Sequence, residues 1–142
     1  MKSKLGRKKA NREHLVRNIA TSLVMFEYVE TTQAKAKEAK RYLEQLIARN
    51  KDNDLSAKRR VLASLFDRNA SRKLLNELLP RYENKKSGFI HSYRLKNRPG
   101  DNAPMVRLEL VDKKVFVTPE AEVKVKENKL AEKVKETPND AK

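Results

Sequence analysis

"FIHSYRLKNRPGDNAPMVRLELVD", residues 89–112, is the stretch in which the apolar residues switch from helical spacing to a period of two. Phe89, His91, Tyr93 and Leu95 alternate with Ile90, Ser92, Arg94 and Lys96, which predicts a strand with one basic face. "MVRLELVD" returns as a second strand, Val106, Leu108 and Leu110 alternating with Arg107, Glu109 and Val111. Between them, Pro99 and Gly100 suit the central positions of a type II turn, since proline fixes the first backbone angle and glycine accepts the positive one. Residues 88–112 therefore read as a two-stranded hairpin. A lone hairpin is marginal in water, so helices from elsewhere in the chain must cover one of its faces.

The preceding residues supply those helices. In "HLVRNIATSLVMF", residues 14–26, Leu15, Ile19, Leu23 and Phe26 with Val16, Ala20 and Val24 form a stripe at helical spacing. Asn11 is the expected cap, with Glu13 in the first turn where the helix dipole favours an acid. "YVETT", residues 28–32, is β-branched and short, and predicts a brief strand whose Thr31 or Thr32 caps a second helix. That helix runs to about Asn50 with Ala36, Ala39, Leu43, Leu46 and Ile47 inward, and Lys35, Lys37, Lys40 and Arg41 off the stripe. A third helix, capped by Asp54, is expected from Leu55 to Phe66 with Val61, Leu62, Leu65 and Phe66 inward. A fourth, capped by Asn69, runs from Ala70 to Leu79 and stops at Pro80, which lacks an amide proton and pushes the preceding residue away from helical geometry. The order is helix, strand, three helices, two strands, an α+β (two-layer α/β) class.

Both ends of the chain differ in composition from this middle. "KLGRKKANR", residues 4–12, completes an opening with six basic residues and no acidic one, too polar to repay the entropy of ordering without a partner. From Pro119 onward six Lys stand against five Glu and one Asp, so the tail is neutral and the chain's whole excess charge lies before it. The expected organisation is a basic arm at 1–12, a globular domain at 13–118, and a tail at 119–142 that is disordered or a frayed helix.

Composition narrows the function. Across 142 residues, 34 Lys and Arg against 19 Asp and Glu give a net charge of +15, which opposes compaction unless a polyanion neutralises it. Nucleic acid or an anionic membrane fits. No stretch approaches the roughly 20 consecutive apolar residues of a membrane span, and the opening has no apolar signal region. No cysteine is present, which fits a reducing cytoplasm and removes any thiolate metal site. A chain that opens directly on its basic arm is also expected to lack a transit segment.

Neither histidine, His14 or His91, has a cysteine or a glycine-rich loop beside it, and no phosphate loop, HExxH or GxSxG pattern occurs. The expectation is a non-enzyme with no metal, cofactor or small-molecule substrate. The basic residues carry more information, because single-signed clusters recur at residues 2–12, on the exposed side of the second helix, and at 94–98. A merely solvated face mixes both signs, as the tail does. The chain has no zinc-finger ligands, no heptads behind a basic region, no aromatic RNP-type sheet and no clear recognition helix. Structured RNA read by shape and backbone suits scattered Lys and Arg with Asn, Thr and Ser among them. A DNA-binding protein and a membrane-surface protein remain the alternatives.

The motifs "KLGR", "RNIATSL", "ETTQAKAKE", "LPRY" and "RPGDNAPM" followed by "ELVD" occur in this order over residues 4 to about 112. On them the chain resembles the bacterial large-subunit ribosomal protein seventeen family. The resemblance implies helices packed on a small three-stranded sheet and a structural role in the cytoplasmic ribosome. It also implies binding to large-subunit ribosomal RNA near the peptide exit tunnel, with neighbouring large-subunit ribosomal proteins as further partners. It assigns RNA contacts to the arm residues Lys2, Lys4, Arg7, Lys8, Lys9 and Arg12, then to Arg17, Asn18, Thr21 and Ser22, and to Thr31, Thr32, Lys35 and Lys37. The basic Arg94, Lys96 and Arg98 complete the expected set, the turn from Arg98 to Pro104 either touching RNA or closing the hairpin. The chain departs from the family at residues 8–11, "KKAN", and at His91 and Ser92.

Overall fold

The computed structural model describes residues 3–52 and 54–112; the expectations for Lys2, for the boundary at 118 and for the tail at 119–142 lie outside them. Helix α1 (Lys9–Phe26) leads into strand β1 (Tyr28–Thr32) and helix α2 (Gln33–Arg49). Helix α3 (Leu55–Ser64) follows, then a continuous helical segment made of α4 (Arg68–Lys73), one π turn (Leu74–Leu78) and α5 (Leu79–Arg81). Strands β2 (Ile90–Arg94) and β3 (Met105–Leu110) are the last elements among the described residues. The sheet has the order β1-β3-β2 with both pairings antiparallel, so the last strand is central and the helices cover one face. The fold is α+β, as the change of period requires.

Strand β3 takes the centre because its alternation is the cleanest: Val106, Leu108 and Leu110 are buried against the helices. Register places Val29 and Ser92 beside Leu108, and Thr31 and Arg94 beside Val106, on that covered face. Ile90 pairs with Leu110 there. This corrects the reading of β2, since the set Ile90, Ser92 and Arg94 faces the helices while His91 and Tyr93 lie on the open face. Phe89 is buried all the same, because it precedes the strand and packs on Tyr82 at 5.2 Å between ring centroids. Gly100 has the expected positive φ of 106°, but the turn closes from the Asn102 amide to the Arg98 carbonyl, one residue wider than a type II turn.

Several helix ends differ from the sequence reading for local reasons. Helix α1 begins at Lys9, inside the expected arm, because Lys9 and Ala10 favour helix and nothing stops it at Asn11. Asp67, not Asn69, caps α4 by accepting from the Asn69 amide at 2.8 Å. Asp54 caps α3 as expected, whereas Thr32 holds the cap position of α2 without a side-chain bond. The helical segment runs through Pro80 to Arg81, since the π turn lets the Leu79 amide bond the Leu74 carbonyl and relieves the register in which proline would clash. Helix α3 ends at Ser64, so Phe66 falls beyond it and is exposed, while Leu62 is exposed on the outward side of α3 itself. Phe26, on the predicted stripe of α1, is 68% exposed because the helix reverses immediately after it.

That reversal depends on Glu27. It adopts a left-handed φ of 62°, uncommon for a residue with a side chain, and its amide bonds the Leu23 carbonyl at 2.9 Å. Its carboxylate is buried and meets Lys73 at 2.9 Å and Arg81 at 3.2 Å, while its carbonyl accepts the Leu110 amide. Burial alone would raise the Glu27 pKa, but the hydrogen bonds and charges of Lys73 and Arg81 outweigh it and hold the carboxyl below its ordinary 4.5. Near the end of the hairpin, the fully buried Tyr82 donates to the Val111 carbonyl at 2.6 Å, and burial pushes its phenol up to about 12.

Glu27→Gln is expected to lower the unfolding free energy by about 3 kcal/mol, because it strands two cations in a partly desolvated site. The folded protein holds the Glu27 proton less tightly than the unfolded chain does. The stabilisation is therefore complete above pH 4.5 and lost as pH falls through the folded value. Urea midpoints of wild type and variant should differ at pH 7 and converge in acid. A gap independent of pH would assign the loss to shape and not to charge.

Candidate nucleic-acid interface

Helix α2 organises the basic surface. Its stripe Ala36, Ala39, Leu43, Leu46 and Ile47 is buried, so the residues on either flank face outward into grooves. On one flank, Arg41, Tyr42 and Gln45 meet Lys9, Arg12, Val16 and Arg17 of α1 across a groove that also holds Glu13 and Glu38. The cations outnumber the acids. Glu38 is moreover engaged: it accepts the Ser3 amide at 3.0 Å, and that backbone bond, ahead of any other influence, holds its carboxyl below the usual range.

A second groove lies further along the same flank, between α2 and α3. Arg17, Arg49 and Arg60 line it with Tyr42, Gln45 and Asn50. Asn50 is buried, donates to the Leu46 carbonyl and accepts from Arg60 Nε at 3.1 Å, while Arg60 Nη2 reaches the Arg49 carbonyl at 3.3 Å. A guanidinium thus satisfies the carbonyl end of α2, where a cation is favoured, while its Nη1 donates to Ser56 Oγ of α3 at 3.2 Å. Arg17 lines both grooves and joins them into one cationic track.

On the opposite flank, Lys37 and Lys40 of α2 face Arg94 of β2 across a cleft floored by Ala36, Val106 and Leu108. The structure therefore brings together Lys9, Arg12 and Arg17 in one place and Lys37 with Arg94 in another. Arg41 was placed by helical phase on the exposed basic side of α2, though not among the expected RNA contacts; Arg49 and Arg60 were not singled out by sequence, and Arg60 joins only through the α2–α3 crossing.

The remaining expected residues are dispersed. Lys4, Arg7 and Lys8 are exposed on the turn before α1, where the Arg7 amide bonds the Lys4 carbonyl at 3.2 Å and Leu5 and Gly6 take positive φ. Asn18 is exposed and Ser22 half-buried on α1. Thr21 is committed to its own helix, donating to the Arg17 carbonyl at 2.8 Å. Thr31 and Thr32 end β1, and Lys35 lies in the first turn of α2. Lys96 stands exposed beside the hairpin turn. Arg98 is paired: its Nε donates to Asp101 at 3.0 Å, and that bond leads the influences that pull the Asp101 carboxyl down to about 2. This pair spans the hairpin turn.

The open face of the sheet has a different character. Tyr28, His91 and Tyr93 lie there with Glu30, Arg107 and Glu109, and Arg107 bonds Glu30 and sits 5.7 Å from the Tyr28 ring centre. These aromatic positions, which the sequence reading did not collect on one face, are interleaved with acids.

The site thus belongs to a small α+β domain with guanidinium-lined grooves beside an exposed basic turn, a surface whose charge complements an anion. Residues 15–111 match the family described as Ribosomal protein L17. The chain is 42% identical over 108 residues to large ribosomal subunit protein bL17 of Wolinella succinogenes, covering 76% of this chain and 93% of that protein. It is 43% identical over 108 residues to the protein of that name from Moorella thermoacetica, and 37% identical over 108 to that of Caldanaerobacter subterraneus subsp. tengcongensis. Each of those two matches covers 76% of this chain and 96% of the relative. The chain belongs to the ribosomal protein L17 family and is a structural component of the large ribosomal subunit, not an enzyme. Among the described residues, no helix is long and apolar enough to cross a membrane.

Asn50→Ala should lower the unfolding free energy by about 1 to 2 kcal/mol, because it removes the acceptor that orients Arg60 and leaves the Leu46 carbonyl without its side-chain donor. Thermal denaturation checks this. A variant as stable as wild type would show that water replaces both bonds.

Proposed function

We propose that this protein binds large-subunit ribosomal RNA through the cationic track on α1, α2 and α3, close to the peptide exit tunnel of cytoplasmic ribosomes. Membership of a large-subunit family, together with a groove in which Lys9, Arg12, Arg17 and Arg41 converge, carries this reading. Guanidinium groups match phosphate oxygens in pairs and hold the fork geometry without titrating, which suits a permanent contact with a sugar–phosphate backbone. The arm residues Lys2, Lys4, Arg7 and Lys8 extend the track, and Gly6 lets the backbone approach RNA closely. Lys35, Lys37, Arg94 and Lys96 would meet a second segment of RNA, and Asn18, Ser22, Thr31 and Thr32 donate where cations do not reach. Neighbouring large-subunit proteins are the other expected partners. The functional division into arm 1–12, domain 13–118 and tail 119–142 belongs to the same proposal.

Affinity for ribosomal RNA should fall steeply with salt: releasing the counterions of about six phosphates costs on the order of a thousandfold between low and moderate ionic strength. Deleting residues 1–10 should flatten that slope, and Arg17→Gln or Arg41→Gln should each reduce it by about one. An unchanged slope after the deletion would remove the arm from the interface. In a cell extract, the tagged protein should sediment with large-subunit RNA through a sucrose gradient and survive a moderate-salt wash. Sedimentation as free protein or with DNA would overturn the RNA reading.

A further inference from the structure

The sequence pattern placed Phe66 in the core as the last inward residue of α3, but α3 stops at Ser64 and the ring stands 48% exposed. A single exposed ring is ordinary by itself, and the neighbours of this one give it its interest. It is not alone there. The exposed imidazole of His14 on α1 lies 5.2 Å from it, centroid to centroid, with the planes only 21° apart, so the two rings form a stack. Arg17, one helical turn from His14, brings its guanidinium to 5.8 Å from the Phe66 centroid. The loop carrying Phe66 is held against α1, its amide lying 3.5 Å from Thr21 Oγ1. Arg17 is also the cation shared by the two grooves, so the stack adjoins the track at its junction.

We propose that the His14–Phe66 pair is a stacking platform for an unpaired nucleobase, belonging to an RNA whose phosphates lie in the grooves that meet at Arg17. The inference rests on the reading of those grooves as an RNA face. An outer face of this stack, next to guanidinium groups, matches the two halves of a nucleotide, the base extending the stack and the phosphate on the cations. A lipid headgroup or a duplex backbone offers the anion without the ring. The open sheet face, with Tyr28 and Tyr93 both 51% exposed, lacks this match because Glu30 and Glu109 share it and Arg107 is paired with them. Tyr93 therefore serves as the control.

The full chain is titrated into a labelled mixed-sequence single-stranded RNA of about 12 nucleotides, and into a blunt duplex of the same sequence, at one ionic strength. Phe66→Leu keeps an apolar side chain at a half-exposed site and should weaken single-strand binding roughly tenfold while leaving the duplex unaffected. Tyr93→Leu should change neither. Because the chain contains no tryptophan, Phe66→Trp adds a single indole whose fluorescence should be quenched by the single strand and not by the duplex. Wild-type single-strand affinity in Phe66→Leu, equal losses on both RNAs, or an unquenched indole would each overturn the platform. A wild-type chain that binds neither RNA in a salt-dependent way would instead overturn the RNA reading of the grooves, taking the platform with it.

Discussion

One buried carboxylate ties the layers of this fold together. Glu27 ends α1, turns the chain into β1, bonds the central strand through its carbonyl and holds Lys73 of α4 and Arg81 of α5. Removing water from three charges is expensive, and the arrangement is favourable only because each has an opposite partner at hydrogen-bond distance. Lys73 is further committed by its bond to the Met25 carbonyl at 2.8 Å, at the end of α1 where a cation is favoured. Tilting α1 away from this point would disturb the sheet edge and the α4–α5 segment together. The left-handed backbone of Glu27 is sustained by the contacts that need it there.

The same economy of charge explains how a domain with so much excess positive charge stays compact. Acids are placed where cations come closest inside the domain: Glu27 between two helices, Asp101 on the hairpin turn, Glu30 and Glu109 around Arg107. The cations of α1, α2 and α3 are gathered into grooves and face outward, where water screens their mutual repulsion until an anionic partner replaces it. The Ala36 and Ala39 stripe lets α2 lie close over β3, and that closeness turns its flanks into clefts.

Periodicity made much of this legible. The stripe of α2 and the alternation of β3 each bury the residues their spacing selects, because regular burial on one face needs only a partner surface. The clusters at 2–12 and along α2 were likewise visible, and part of both reappears in one groove. Burial of β2 ran against its pattern, since Phe89 lies before the strand and is buried against Tyr82, while within the strand Ile90 is the residue that faces the helices. Phe66 was misplaced because α3 stops at Ser64 and the chain passes into the Asp67 cap of the next helix, and Leu62 because it falls on the outward side of α3; apolar spacing encodes neither.

By itself, then, the sequence determined the class of fold, the need for helices over a small sheet, the sign and segments of the charged surface, and the family, since all of these are properties of local order along the chain. Tertiary structure alone decided that β3 lies between β1 and β2, that Pro80 sits within a helical segment, that Arg60 caps α2, and that His14 and Phe66 form a stack beside Arg17. Each of these joins residues far apart in sequence or trades one local preference against another. Packing, hydrogen bonds and ion pairs between elements are what compare such distant alternatives, and they act only once the chain is folded.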